Sequence, residues 1–502
     1  MKNTPQRRHW ISRMHLAEAS AVLAFATVLV SALITTQSAE AQTLTTLLSF
    51  DGTDGTGTVA ALVQGTDGNL YGTTSADGAN GYGTVFKITP SGTLTTLYNF
   101  CAQAGCTDGG NPKGALVQAT NGPFYGTTFT GGAFGYGTLF KITPSGTLTT
   151  LHSFDGTDGV YPQAGLIQAT NGDFYGTTCG DWCFNSSNTP SVPGTIFKIT
   201  PSGTLTTLHS FCSLSDCADG FFPVAGLVQA TNGDLYGTTI YGGDTYMGPC
   251  YPGCGTAYKI TPSGTLTTLY NFCSMSGCTD GYYPVAGVVQ GANGDLYGTT
   301  SGGGAIGQGI AFKITLGGTL TTLYTFCSQS DCTDGNTPDA GLVQGTDGNF
   351  YGATNQGGGV NNAGTLFKIT PSGALTTLIS FDDTDGRWPF AGLTQATNGD
   401  FYGTTTLGGA NSLGTVFSLS VGLGPFVETQ PTSGKVGAAV KILGTNLTGA
   451  TSVTFNGTAA TFTVVSKSEI TTTVPAGATT GTVEVTTSRG TLKSNTKFRV
   501  TP

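Results

Sequence analysis

Leu70-Tyr71-Gly72-Thr73-Thr74 is a phrase that this chain repeats seven times. A leucine or phenylalanine precedes Tyr-Gly, and a threonine-rich pair follows. The other copies carry Tyr125, Tyr175, Tyr236, Tyr297, Tyr351 and Tyr402, at successive intervals of 54, 50, 61, 61, 54 and 51 residues. Self-similarity at this period signals a repeat architecture, in which each copy is one supersecondary unit that cannot bury its apolar face alone.

Around the phrase, each copy divides into four strand-like segments. In the third copy they are 164–170, 173–178, 194–200 and 204–211, here strands A, B, C and D. Between A and B stands Asn-Gly or Asp-Gly, beginning at Asp67, Asn121, Asn171, Asn232, Asn293, Asp347 and Asn398. This dipeptide tolerates the positive φ angles of a type I′ hairpin turn. Turns such as Pro90-Ser91-Gly92 separate C from D. Four-stranded antiparallel units in series predict an all-β fold, a seven-bladed β-propeller. An orphan D segment (44–50) precedes the first copy, and the last copy (C at 414–420) lacks its own. The N-terminal strand is therefore expected to complete the last blade, closing the ring at 43–421 and removing exposed sheet edges.

Composition agrees with a folded, exported protein. Among 502 residues 79 are Gly and only 9% are charged, neither a helical nor a highly charged disordered composition. Residues 43–421 hold 23 Asp and no Glu against seven Lys and one Arg, a net −15; the tail from Gly422 carries +4. An acidic body argues against nucleic acid, which needs a basic surface. Lys2, Arg7, Arg8 and Arg13 precede an apolar stretch at 21–34, with Ala39-Glu40-Ala41 as a cleavage site. This pattern predicts a signal peptide over 1–41. No membrane span is expected after its removal, so the reading is a secreted, periplasmic or cell-surface monomer.

The 12 cysteines form six close pairs: Cys101/Cys106, Cys179/Cys183, Cys212/Cys217, Cys250/Cys254, Cys273/Cys278 and Cys327/Cys332. In an exported chain these read as local disulfides rather than a zinc site, which needs four converging ligands. All fall in the long D-to-A and B-to-C connections, which read as loops. Because a rigid scaffold commonly carries function on its variable loops, any site is expected at that end of the blades.

Chemistry of the catalytic kind is sparsely supplied. Beyond the leader the histidines are His152 and His209, both on D strands where other copies have Tyr98, Tyr270 and Tyr324; they read as strand variants. No nucleophile elbow, phosphate loop or zinc-protease motif occurs, so no catalytic residue, metal or cofactor is assigned. One carboxylate recurs before every strand A: Asp54, Asp108, Asp158, Asp219, Asp280, Asp334 and Asp385. It reads as a turn former, with a ring binding a hard cation such as Ca²⁺ as the alternative. Just after it the copies diverge. Tyr161, Phe222, Tyr283 and Trp388 stand before a proline where other copies have Gly57, Asn111 and Thr337. Trp182 and Tyr246 add aromatics in the B-to-C loops. Flat rings beside Asp and Asn suit stacking on sugars; inter-blade packing is the competing account. The resulting expectation is a non-enzymatic protein binding a polysaccharide or a surface protein. The alternatives are a carbohydrate-active hydrolase or lyase using paired Asp, and a purely structural envelope protein.

Two resemblances accompany these readings. Gly165-Leu166-Ile167-Gln168, Asn171-Gly172-Asp173-Phe174-Tyr175-Gly176-Thr177-Thr178 and Gly194-Thr195-Ile196-Phe197-Lys198-Ile199 resemble the GloVer tandem repeat of bacterial exported proteins. That resemblance implies export and a repeat fold, and no common activity. Val440-Lys441-Ile442-Leu443-Gly444-Thr445-Asn446-Leu447 and Val453-Thr454-Phe455-Asn456-Gly457 resemble the IPT/TIG family. This implies a small Ig-like sandwich over 425–502, a spacer or contact module without catalytic residues.

Overall fold

The computed structural model describes residues 42–183, 192–244, 250 and 253–501, the Trp182 side chain excepted. The expected signal peptide lies outside them. Residues 43–420 form seven four-stranded antiparallel sheets. In the third, the strands are Ile167–Gln168, Phe174–Thr178, Thr195–Ile199 and Leu205–Ser210, paired in sequence order. The N-terminal strand Thr43–Ser49 pairs with Thr415–Ser420 as the outer strand of the sheet that also holds Thr394–Gln395 and Phe401–Thr405. Chain start and repeat end thus share one sheet.

The recurrent phrase packs these sheets together. Leu70 and its equivalents are fully buried. Where strand B of the next sheet begins with phenylalanine, the tyrosine stacks on it, with ring centroids 4.1 Å apart for both Tyr71–Phe124 and Tyr125–Phe174 and 4.0 Å for Tyr297–Phe350. The glycine makes room: a Cβ on Gly176 would lie 2.7 Å from both Phe197 and Leu166. The first threonine reaches the next sheet, as in Thr177 Oγ1 to the Ala225 carbonyl (3.2 Å). The second bonds strand C, Thr178 to Thr195 at 2.8 Å.

A second set of links runs along the A–B turns. The Gln118 side-chain oxygen accepts the Thr66 amide N–H of the preceding sheet at 2.9 Å. Gln168, Gln229, Gln290, Gln344 and Gln395 repeat the bond at 2.9–3.1 Å. Gln64 of the first sheet accepts Thr397 N–H of the seventh at 2.9 Å. The series of links therefore returns to its start.

Three details depart from the sequence reading. The A–B turns are not type I′. Only the glycine has positive φ, +82° at Gly68 and +88° at Gly172, in a three-residue loop closed by Gly65 N–H to the Asn69 carbonyl. The Asx side chain is there to hydrogen-bond instead: Asn171 Oδ1 accepts Asp173 N–H (3.1 Å), and its amide donates to the Tyr175 hydroxyl (2.9 Å). Strand A is also shorter than expected, two paired residues in every sheet. Its first half turns to the neighbouring strand A: a Cβ on Gly165 would lie 2.8 Å from the Ala115 carbonyl oxygen, so the inner strands crowd one another.

The third correction concerns the cysteines. An all-β reading left all of them in plain loop, yet five close a single tight turn. Cys106, Cys183, Cys217, Cys278 and Cys332 each end a single 3₁₀ turn, namely Ala104–Cys106, Asp181–Cys183, Ser215–Cys217, Ser276–Cys278 and Ser330–Cys332. The cause is the close spacing of each pair, which obliges the chain to double back within a few residues. A tight i-to-i+3 turn does this. Cys106 N–H donates to the Gln103 carbonyl (2.9 Å), Cys183 to Gly180 (3.4 Å), Cys217 to Leu214 (3.2 Å), Cys278 to Met275 (2.9 Å) and Cys332 to Gln329 (3.1 Å).

The C-terminal segment folds as two four-stranded sheets and a two-stranded one around Val440, Ile442, Leu447, Val453, Phe455, Ile470, Val483, Val485 and Phe498. It rests on the A–B turns. Ser468 Oγ donates to the Thr66 carbonyl (2.8 Å), Thr445 bonds Thr397 (3.0 Å), and an Arg499 guanidinium N–H donates to the Thr231 carbonyl (2.6 Å). Those turns belong to the first, seventh and fourth repeats, so the module covers that side of the repeat array.

Because Gly176 has no spare volume, Gly176→Ala is expected to cost about 1–3 kcal/mol by overpacking. The shift of the urea unfolding midpoint measures it.

Candidate functional site

At the other end of the sheets, one backbone position links consecutive repeats. It stands three residues after the recurrent aspartate, directly before Thr58 in the first repeat and directly before a proline in the other six. Its occupants are Gly57, Asn111, Tyr161, Phe222, Tyr283, Thr337 and Trp388. All seven are left-handed, with φ between +53° and +69°. At Asn111, Tyr161, Tyr283, Thr337 and Trp388 the cause is a pair of backbone bonds. Trp388 N–H donates to the Ala363 carbonyl of the preceding repeat (2.9 Å), and its own carbonyl accepts Thr406 N–H (3.2 Å). Tyr161 bonds Tyr136 O and Cys179 N in the same way, and Tyr283 bonds Cys254 O and Ser301 N. These two hydrogen bonds hold the left-handed conformation whatever the side chain. Glycine and asparagine accept it readily, whereas bulky residues there are conformational outliers costing about 1–2 kcal/mol each.

Four repeats nevertheless place an aromatic ring at this position. Tyr161 lies 5.2 Å from Phe129 and 5.8 Å from Tyr136 between ring centroids. Phe222, Tyr241 and Tyr283 form a run, with Phe222–Tyr241 at 5.7 Å and Tyr241–Tyr283 at 5.1 Å; Tyr282 adds to it at 4.9 Å from Tyr283. Burial raises the pKa of Tyr161, Tyr241 and Tyr283. Trp388 stands apart from the run, with the Arg387 guanidinium 4.7 Å from its ring. Tyr246 and the Trp182 side chain lie outside the described residues.

The recurrent aspartates divide into two sets. Asp108, Asp219, Asp280 and Asp334 sit in the four-residue-spaced cysteine loops and are 0–2% exposed. Asp108 accepts the Tyr98 hydroxyl (2.8 Å) and the Ala102 and Gln103 amides. Asp280 and Asp334 repeat this with Tyr270 and Tyr324 and gain a serine hydroxyl each. His209 takes the tyrosine's place on Asp219 at 3.0 Å. Burial opposes the charge of Asp219, yet bonds from His209, Ser213 and the backbone hold its pKa below the usual value. Asp54, Asp158 and Asp385 lie in cysteine-free loops. Each accepts an amide three residues back, and His152 bonds Asp158 at 2.5 Å. Burial raises the pKa of Asp54 and Asp385. The histidines are thus partners of the recurrent carboxylate, a pairing that needs the D strand and the following loop to be placed together.

All six cysteine pairs form disulfides: Cys101–Cys106, Cys179–Cys183, Cys212–Cys217, Cys250–Cys254, Cys273–Cys278 and Cys327–Cys332. They mark an oxidising compartment. In the four loops with the wider cysteine spacing, the 3₁₀ turn leaves its second cysteine left-handed, with φ of +52° at Cys106, +54° at Cys217, +50° at Cys278 and +48° at Cys332. Each of these cysteines stands two residues before the loop's buried aspartate, so disulfide and carboxylate brace the same short segment. No described helix is long and apolar enough to cross a membrane. The sulfurs of Cys254, Cys273 and Cys278 lie within 4.8 Å of one another, because two of these disulfides sit side by side.

One acid escaped the sequence reading. Asp339 follows Thr337-Pro338 in the sixth repeat, where other repeats hold Val59, Lys113, Gln163, Val224, Val285 and Phe390. Its Oδ1 is buried without a hydrogen-bond partner, as is Oδ1 of Asn355, whose amide nitrogen is 3.5 Å from Asp339 Oδ2. Burial raises the Asp339 pKa to about 6, with the Asn355 amide working weakly in the other direction. The signal in the sequence was the lone acid at a position otherwise apolar, amide or lysine.

The folded state holds the Asp339 proton up to about pH 6, whereas an unfolded aspartate releases it near pH 4. Below pH 4 both states are protonated and the residue is neutral to stability. Between pH 4 and 6 stability falls, and above pH 6 the full loss remains, about 3 kcal/mol at most. Asp339→Asn is therefore expected to raise the urea midpoint at pH 7 and leave it unchanged at pH 3.5.

Comparison with known proteins bears on the repeat itself. No curated protein sequence matches this chain. Among solved structures, the putative 6-phosphogluconolactonase of Bacteroides uniformis is similar at 16% identity and a TM-score of 0.43, over 67% of this chain and 88% of that one. The periplasmic gluconolactonase of Pseudomonas aeruginosa is similar at 15% identity and a TM-score of 0.39, over 68% and 93%. The gluconolactonase of Xanthomonas campestris is similar at 13% and 0.38, over 75% and 89%. The Gloeobacter/Verrucomicrobia repeat matches residues 32–251 and 250–465, running past the last Tyr-Gly phrase into the C-terminal segment. With most of its length matched, and with the tandem sheets described above, this chain belongs to the Gloeobacter/Verrucomicrobia repeat family.

Proposed function

We propose that this is an exported, non-enzymatic binding protein. Its seven sheets act as the blades of a closed seven-bladed β-propeller, and the loop end opposite the A–B turns binds a polysaccharide or a glycosylated surface. The C-terminal module serves as an IPT/TIG Ig-like spacer. The observation that carries the reading is the left-handed position. Repeats with no ring there use Gly57, Asn111 or Thr337, while four others hold Tyr161, Phe222, Tyr283 and Trp388 at the same positive φ. Strain retained at one place in a repeat array, when glycine and asparagine occupy that place in sister repeats, is a mark of function. The rings have the flat faces that sugars stack on. Export is supported by the six disulfides and by the leader-like N-terminal sequence. Binding at the loop end is supported by the C-terminal module, whose bonds to Thr66, Thr397 and Thr231 occupy the turn end.

Hydrolysis is the second reading: a glycosidase needs two carboxyl groups roughly 5–10 Å apart.

The test uses the purified exported protein and a panel of insoluble polysaccharides, scoring both retention and released reducing ends. Retention without cleavage is expected. Asn replacements at Tyr161, Phe222 and Tyr283, which suit the left-handed backbone, should keep the fold and weaken retention about ten-fold when combined. Turnover of any polysaccharide that Asp339→Ala abolishes would establish the enzymatic alternative. Retention that survives the triple replacement would assign the rings to packing.

A further inference from the structure

Four buried polar atoms lack a hydrogen-bond partner around the junction of the sixth and seventh repeats: Asp339 Oδ1, Asn355 Oδ1, Trp388 Nε1 and Arg387 Nε. The junction is tight. Trp388 N–H bonds the Ala363 carbonyl, and a Cβ on the next residue, Gly364, would lie 2.8 Å from Pro389 Cδ and 3.1 Å from the Asn355 carbonyl oxygen. Asn355, 7% exposed, in turn bonds Thr337 through its backbone, two residues before Asp339. A buried polar atom without a partner is destabilising, so four in one neighbourhood concentrate that cost unless a partner arrives.

The chemistry of the four selects the partner. Two are acceptors, the carboxylate and amide oxygens, and two are donors, the indole and guanidinium N–H groups. An anion would satisfy only the donors, and a cation only the acceptors. A hydroxyl is donor and acceptor on one atom, and adjacent hydroxyls on a sugar ring meet a mixed set with few atoms. The Trp388 ring supplies an apolar face beside them; Arg387 already lies over it at 4.7 Å. A net charge of −15 over residues 43–421 disfavours an acidic glycan.

We infer that Asp339, Asn355, Arg387 and Trp388 form a subsite for a neutral saccharide, with Asp339 and Asn355 accepting from its hydroxyls and Trp388 and Arg387 donating to them. The inference rests on the binding reading above and narrows it to one junction and one ligand class. It also accounts for the destabilising burial of Asp339, since a carboxylate held short of partners is ready to bond a ligand hydroxyl.

The test measures binding of cellohexaose, laminarihexaose and maltohexaose by calorimetry, with oligogalacturonate as the acidic control. At least one neutral hexaose should bind and the control should not. Asp339→Asn should weaken that binding about ten-fold while raising the unfolding midpoint, which separates lost recognition from lost folding. Trp388→Phe keeps a ring and removes the N–H donor, and should weaken it about five-fold. Binding unaffected by both replacements, yet lost in the Tyr161, Phe222 and Tyr283 triple variant, would overturn the subsite and leave the aromatic reading standing. Failure of every hexaose to bind the unaltered protein would also overturn it, whether or not polysaccharide is retained, and preferential binding of the acidic control would reverse the charge argument.

Discussion

The glutamine links between neighbouring inner strands set the conditions for everything else in this chain. Each is one side-chain oxygen accepting one backbone N–H from the preceding A–B turn, and the last link joins Thr397 to Gln64. A single bond of this kind contributes about 1 kcal/mol. Its value lies in repetition: seven sheets must hold the same spacing for seven bonds to form together. The Tyr–Phe stacks at 4.0–4.2 Å impose the same spacing slightly further out. Glycine then becomes obligatory where strands B, C and A meet, as the Cβ distances at Gly176 show.

The same spacing explains the left-handed residue before strand A. Because consecutive sheets are held close, its N–H reaches the preceding repeat while its carbonyl stays with its own. Backbone conformation there is dictated by neighbours, not by the residue's preference. Thr337 shows that even a β-branched side chain can be held in this state without a ring. The constraint is therefore structural, and the aromatic side chains are an addition to it. The turn end and inner strands set the spacing, and the loop end, braced by its disulfides and buried aspartates, carries the conformational outliers.

Much of the repeat was legible because each residue of Leu-Tyr-Gly-Thr-Thr has a single packing reason, and a reason that recurs gives a pattern that recurs. The four strands per repeat followed from turn chemistry at Asn171-Gly172 and Pro201-Ser202-Gly203. What stayed hidden depends on contacts between repeats or on the closure of a short loop. The A–B turn was misread because Asn and Asp favour both positive φ and side-chain hydrogen bonding; here the second use applies, as Asn171 to Asp173 and Tyr175 shows. Strand A was overextended because the alternation of Leu166, Ile167 and Gln168 says nothing of a neighbour's carbonyl at Gly165. The 3₁₀ turns ending at Cys106, Cys217 and Cys332 gave no sign because three residues are too few to show a helical period. The positive φ at Tyr161, Phe222, Tyr283 and Trp388 was invisible because those residue types argue against it. Asp339 was passed over because an acid that occurs in one repeat makes no pattern; its mark is the break in an otherwise apolar, amide or lysine position.

That contrast orders the acidic groups physically. Asp108, Asp280 and Asp334 each accept bonds from a tyrosine and from two backbone amides. Such carboxylates are the caps of their own loops, and the adjoining disulfides tie the same loops a second time. A group with its lone pairs satisfied has little left to offer a ligand. Asp339 has the opposite balance, buried yet short of donors. In a repeat protein the fold solves each structural need once and copies the solution, so a costly feature that appears in one copy is not serving the repeat. Its cost must be set against something outside the chain, and the mixed donors and acceptors beside it indicate what that partner has to carry.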